Sequence, residues 1–320
     1  MLLTLNAARS LLVCLVFLNS AIASGQDFPN KPIRIVTANA GGGDDYTSRT
    51  IAQALAVSLG QPVIVDNRSA AFIAADVVAK SPPDGYSLTV QGAGFWINAL
   101  LRKVPYDVVS DFVPISLISR DVFVIAVHPA LPVNSVKELI ALAKAKPGEI
   151  NHGTGVSGTS SHLAVELLKS MAAINMVRVS YKGAAAVISA ALANEVQVVL
   201  TDVGLLMPHV KSGKLKALAV TGAQPTALAP GLPTVAASGL PGFEAVGMTG
   251  IFAPAKTPSA VITRLNQDIV RVVNLADVKE RFINTQSEVV GSSPEQYAAT
   301  IRSEIAKMSK LIKDANIRVD

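Results

Sequence analysis

Short apolar runs alternate along the chain with stretches whose apolar positions recur every three or four residues, so strands and helices take turns. Ile33 to Ala38 reads as the first strand. Ile51, Leu55 and Leu59 then fall at i, i+4 and i+8, one stripe of a helix that Gly60 ends. A strand over Pro62 to Asp66, a helix over Ile73 to Lys80 and a strand over Ser87 to Gln91 continue the series. A second unit starts near Val122, where VFVIAV is an unbroken apolar strand. The helix Val136 to Ala145 follows, capped by Asn134 or Ser135 and closed by Pro147-Gly148. Ile150 to His152 then leads through a polar loop to a helix over Leu163 to Met171. The alternation goes on through Val177 to Val179, Ala184 to Ala193, Val196 to Leu200, Leu205 to Lys211 and Ala217 to Val220. Thr221 to Pro241, rich in Pro, Gly and Ala, reads as a crossing segment, and Gly250 to Ala253 as a strand returning to the first sheet. Helices over Pro258 to Asn274, Val278 to Thr285 and Pro294 to Lys313 end the chain, with Pro258 and Pro294 at plausible first helical positions. The pattern predicts an α/β protein with doubly wound, mainly parallel sheets covered on both faces.

Two loops interrupt this pattern with almost no side chains. In IRIVTANAGGGDDYTSR, Ile33 to Arg49, a strand hands its end to a helix across Gly41, Gly42 and Gly43. The first N–H groups of a helix have no intrahelical partner and carry about half a positive charge from the dipole, which suits a small anion. A glycine triplet can equally do no more than turn the chain. Asp45 and Arg49, four apart, are either site residues or a helix-start carboxylate and its surface partner. The stretch ends in neither Gly-Lys-Ser nor Gly-Lys-Thr and lacks G-x-G-x-x-G, so a nucleotide is not expected. In the second unit, Gly153 to His162 (GTGVSGTSSH) repeats the arrangement of strand, Gly/Ser/Thr loop and helix N-terminus. Two such loops can face each other.

Composition adds where the chain works. Met1 to Ser24 carries one charge, Arg9, then an apolar run from Leu11 to Leu18 and the Ala21-Ile22-Ala23 site of a secretory signal, too short to span a bilayer. Cys14, the only cysteine, lies inside that run, so the mature chain has no disulfide, thiolate metal site or thiol nucleophile. The whole chain holds 28 basic and 23 acidic residues; loss of Arg9 leaves a mild positive balance of scattered residues, unlike a nucleic-acid surface.

Motifs spread over the mature chain resemble the Bug family, the periplasmic solute receptors of tripartite tricarboxylate transporters. They begin with Lys31-Pro32-Ile33-Arg34 and the GGG-x-D loop, and run through Asp66-Asn67-Arg68, Pro83-Asp84-Gly85-Tyr86 and Pro105-Tyr106-Asp107. Gly155-x-x-Gly158-Thr159-x-x-His162-Leu163, Tyr181-Lys182-Gly183 and Lys211-x-Gly213-Lys214-Leu215 follow. Leu232-Pro233-Thr234-Val235, Gly239-Leu240-Pro241-Gly242-Phe243 and Phe252-Ala253-Pro254 complete the series. The resemblance implies a two-domain periplasmic-binding-protein fold of type II-like form, with the ligand cleft between the domains. Residues 1–24 would be the signal, 25–121 the first part of domain 1, 122–224 domain 2, and 225–320 the return to domain 1 with its C-terminal helices. It implies a small carboxylate ligand held largely by backbone groups and ordered water, integral-membrane transporter subunits as partners, a periplasmic location and no cofactor or metal; a monomer is expected.

Carried over by position, Gly41, Gly42 and Gly43 supply N–H groups from one domain, with Asp44 and Asp45 beside them. Gly155, Ser157, Gly158, Thr159 and Ser160 supply N–H and hydroxyl groups from the other. Asp202 matches the family's acidic cleft position, or caps a helix before Leu205. His162 is expected to pack rather than touch ligand. Three positions depart from the family. Asp44 stands where Thr is common, and a carboxylate ligand 4 Å from it would be repelled by ~4 kcal/mol at an effective dielectric of ~20. Phe72 falls in Ser69-Ala70-Ala71-Phe72-Ile73 where a Gly-rich turn is usual, and Trp96, after Phe95, takes the place of a frequent histidine. If these face the cleft, the ligand is an aromatic or nitrogen-bearing acid. Otherwise Asp44 turns outward at the helix start and the two aromatics fill the core.

Catalysis is not indicated. Gly155-Val156-Ser157-Gly158-Thr159 misses the G-x-S-x-G elbow at its last position, and His128, His152, His162 and His209 form no metal-binding spacing. A sensor that presents its bound solute to a membrane signalling partner remains open beside transport, since both use closure of two lobes.

Overall fold

The computed structural model describes residues 28–318, so the signal segment and Cys14 lie outside the described residues. Among the described residues, ten strands are joined through one long strand into two mixed sheets. In the first, β1 (Ile33–Thr37) lies between β2 (Val63–Asn67) and β3 (Ser87–Gly92), all parallel. Beside β3 runs β9 (Val246–Pro254), antiparallel, and beside that β4 (Phe112–Val127), which also pairs with the short β10 (Ser287–Val289). In the second sheet β5 (Asn151–Thr154) lies between β6 (Val177–Ser180) and β7 (Val198–Asp202), parallel; β7 and β8 (Lys216–Val220) flank the far end of β4, antiparallel. The partners of β4 change between Val122 and Phe123, so one strand serves both sheets.

The strands are apolar on both faces because helices cover both. Ile33 and Ile35 of β1 pack with Ile51 and Leu55 of α1 (Gly43–Leu59) and with Ile262, Leu265 and Ile269 of α8 (Ser259–Val273). Val36, from the opposite face of β1, joins the core under α2 (Ala71–Ala79) and α3 (Gly94–Leu101). The second sheet is covered by α4 (Val136–Ala145), α5 (Ser160–Ala172), α6 (Ala184–Leu192) and α7 (Val203–Lys211). After α9 (Ala276–Asn284), α10 (Pro294–Asp314) opens with a capping box at Ser293 and Gln296 and sends Tyr297, Ile301, Met308 and Leu311 into a core shared with α3 and α5.

The sequence pattern missed α3 and read β4 only from Val122 onward. Phe112 to Asp121 contains Pro114, Ser116, Ser119, Arg120 and Asp121, which breaks any simple period, and its pairing with β9 carries two register shifts. The same helix corrects the expectation for Trp96. On α3, Trp96 and Phe95 are buried at 2% and 1% exposure, and Phe95 stacks with Tyr106, meets Phe112 edge-on and lies tilted against Phe252. Phe72, half-buried on α2, packs on the same core with the Arg102 guanidinium 5.7 Å from its ring. Both aromatics do what large apolar side chains usually do and line no part of the cleft described below.

Candidate ligand-binding site

A cavity of 590 Å³ lies where the two sheets meet, walled by the loop before α1, the end of β3, the start of α3, the start of β9 and the loop before α5. It brings together seven of the residues singled out in the sequence: Gly42, Gly43, Asp44, Ser157, Gly158, Thr159 and Ser160. An adjoining cavity of 400 Å³ holds Gly155 and Asp202 and shares Asp121, Val156, Thr159, Ser160 and Gly247 with the first. A separate groove of 390 Å³ between α1, α8 and α9 contains none of the predicted residues.

The glycine loop works by shape as much as by donation. Gly41 sits at φ +79°, where a side chain is strained, and its amide is already given to Asp45 Oδ2 at 2.8 Å. Gly42 is the N-cap of α1, and its amide donates to the Asn39 carbonyl at 3.1 Å. The first intrahelical bond runs from Tyr46 to Gly42 at 2.9 Å, so the Gly43 and Asp44 amides are the orphan donors of the helix end beside the cavity. Asp45 lines neither cavity. It is buried and holds the loop together, accepting from Gly41, from Asn67 Nδ2 at 2.8 Å and from Arg49 Nε at 2.9 Å. Burial works against this charge, but those three donors keep its pKa below the ordinary carboxylate value.

The second loop is built in the same manner. Thr159 is the N-cap of α5; its hydroxyl accepts from the His162 amide at 3.4 Å and donates to the Val156 carbonyl at 2.9 Å. Gly158, at φ +83°, gives its amide to His162 Nδ1 at 3.1 Å, so this donor is committed although the residue lines the cavity. An accepting Nδ1 requires an unprotonated ring, in keeping with a pKa pushed down to about 4 by burial and by Arg178 and Lys169. Arg178 braces the loop from behind, donating to Thr154 Oγ1, Ser157 Oγ and the Gly155 carbonyl at 2.9 to 3.1 Å. The Ser160 and Ser161 amides precede the first intrahelical bond of α5, from Leu163 to Thr159, and both residues line the cavities. Two helix N-termini therefore meet at one place.

Three carboxylates share that place. Burial pushes Asp44 up to about 6, against a hydrogen bond from the Gly92 amide and with the help of the charge on Asp121. Asp121 is raised by burial in spite of the Ser287 hydroxyl, which donates to its Oδ1 at 2.6 Å. Asp202 is raised by burial and then by Asp121. It occupies the N-cap position of α7, but its side chain makes no capping bond. Asp44, too, is no cap, and it faces the cavity rather than outward. Asp121, Asn98 and Arg102 were not found in the sequence. The one available signal was Arg120-Asp121, a charged pair set in the apolar run of β4. Among the described residues no cluster of His, Cys, Asp and Glu could hold a metal ion, and no helix is long and apolar enough to cross a membrane.

Donor-rich loops from two lobes, facing each other over a cavity with one shared strand behind it, are the layout of a solute-binding protein that catches its ligand between domains. Comparison with known proteins narrows the class. Residues 47–317 match the model of the tripartite tricarboxylate transporter family receptor, and the chain belongs to that family, whose members are periplasmic solute-binding receptors rather than enzymes. It is 32% identical to Protein BugT of Bordetella pertussis over 98% of this chain and all of that one. Among solved structures it resembles Rpa4515 of R. palustris with adipate, at 31% identity and a TM-score of 0.74, covering 92% of this chain and 100% of that one. It also resembles MatC of Rhodopseudomonas palustris with bound malate, at 25% identity and a TM-score of 0.70, covering 89% and 100%.

Proposed function

We propose that the protein is exported to the periplasm, closes its two lobes on a small carboxylate-bearing solute and delivers that solute to the membrane subunits of a tripartite tricarboxylate-type transporter. The observation that carries this reading is the convergence of the α1 and α5 N-termini on the 590 Å³ cavity. Gly43, Asp44 and Ser160 offer amides there, Ser161 offers another at the adjoining cavity, and Ser157 offers a hydroxyl, a donor set matched to one carboxylate group. Gly42 and Gly158 keep side chains out of its way. Adipate and malate in the related structures support the same ligand class.

Isothermal calorimetry of the chain without residues 1–24, against mono-, di- and tricarboxylates and amino acids, tests the reading. Saturable binding of a carboxylate-bearing solute without its chemical conversion is expected. A solute present at about a thousand times its dissociation constant should also stabilise the fold by ~4 kcal/mol. Turnover of the solute, or no binding by any member of the panel, would defeat it. Delivery is tested by reconstituting uptake with the transporter's membrane subunits, which should require this protein.

A further inference from the structure

We propose that the cleft selects a solute carrying both a carboxylate and a protonated nitrogen, the nitrogen seated between Asp44 and Asp121 and the carboxylate at the N-termini of α1 and α5. The inference rests on the reading of the chain as a solute receptor and adds the charge pattern of its ligand.

The sheet places the two acids together. Gly92 of β3 pairs with Thr249 of β9, and two residues along β9 Gly247 pairs with Asp121 of β4. The Asp44 carboxylate stands over Gly92, where an added Cβ would come within 3.1 Å of Oδ1. Asp121 stands over Gly247, where a Cβ would come within 2.9 Å of Oδ2. Both glycines thus leave floor space that the carboxylates occupy, and both acids line the same cavity. Asp202 adds a third negative group from the adjoining cavity.

These acids have hydrogen-bond donors but no counter-charge. Their partners are the Gly92 amide, the Ser287 hydroxyl at 2.6 Å and the Thr201 hydroxyl at 3.5 Å, and none of the three joins an ion pair among the described residues. Arg102, the one cation among the described residues that lines the larger cavity, donates to Asn98 Oδ1 at 2.6 Å and lies against Phe72. Arg120, next to Asp121 in sequence, faces Glu244 at 3.9 Å. Under the floor, the Tyr297 hydroxyl is fully buried beside Gly250, within electrostatic reach of Asp44, and has no hydrogen-bond partner among the described residues. Among the described residues no cation forms an ion pair with the acidic end, and a ligand cation supplies the missing charge. A dicarboxylate would instead bring its second charge against Asp44 and Asp121. That the cleft is a ligand site does not depend on these acids, since relatives with solved structures hold solutes.

The test compares α- and ω-amino acids with dicarboxylates of equal carbon number, adipate and malate among them, by calorimetry on the purified protein and on its Asp44→Asn, Asp121→Asn and doubly substituted forms. At least one amino acid should bind the unsubstituted protein more tightly than every dicarboxylate. Each single substitution should weaken that binding by about tenfold or more, the size of a lost charge-assisted hydrogen bond, and the double form should take a dicarboxylate. If Asp121→Asn fails to fold, Asp44→Asn alone decides. A dicarboxylate that binds the unsubstituted protein as well as the best amino acid overturns the charge assignment and leaves the receptor reading standing. Binding by neither series overturns both.

Discussion

At the scale of the residue, Asp44 is the side chain whose chemistry is most out of keeping with its surroundings. It begins α1 in the turn where a negative charge is usually favoured, yet burial and the nearby Asp121 make the charged form costly. Its folded pKa, about 6 against an ordinary 3.8, means that the folded protein holds this proton more tightly than the unfolded chain does. The contribution to stability is therefore complete below about pH 4 and is lost as pH rises through 6. The groups facing it, the Gly92 amide, Asp121 and Tyr297, include no cation to reverse that sign. Without ligand, Asp44→Asn should melt about 2 °C or more above the parent at pH 7.5, and the gap should close below pH 4. A gap independent of pH, followed by calorimetric melting, would show that the charge is not its cause.

At the scale of the element, the entry to α5 ties loop shape to helix stability. Thr159 satisfies the His162 amide and the Val156 carbonyl, while His162 returns a bond to Gly158. Thr159→Ala should cost about 1 kcal/mol in urea unfolding, and Thr159→Ser, which keeps the hydroxyl, should recover most of it. Loss of the same size in both variants would place the effect in the methyl packing instead. This helix was legible in advance because a Gly/Ser/Thr loop leads into a regular apolar stripe. So were α1, α4, α8 and α10 and the parallel strands, each with its own period or cap. What stayed hidden depended on partners distant in sequence. Trp96 and Phe95 look like ligand-binding aromatics until α3 turns them inward, and Asp121 becomes a site residue only because β9 sets Gly247 beside it. The glycine loops announced a site, but which of their amides were already committed could be seen only in three dimensions.

At the scale of the whole molecule, β4 is an inner strand of both sheets, and α10 packs on α3 of one lobe and α5 of the other. Neither lobe can lose its core without removing an inner strand from its neighbour. Heating the protein without residues 1–24 should therefore give a single calorimetric transition, with equal calorimetric and van't Hoff enthalpies. Two resolved peaks would mean that the strand behaves as two independent halves on either side of Val122.

The shared strand also sets an order of assembly. Every member of the second sheet, β4 to β8, has been synthesised once the chain reaches Val220. The first sheet must wait for Val246 to Pro254, because β9 lies between β3 and β4, and until it arrives both strands present open edges across a gap one strand wide. Pairing over so long a stretch of chain is slow to form. The lobe that is begun second is the one that can be finished first.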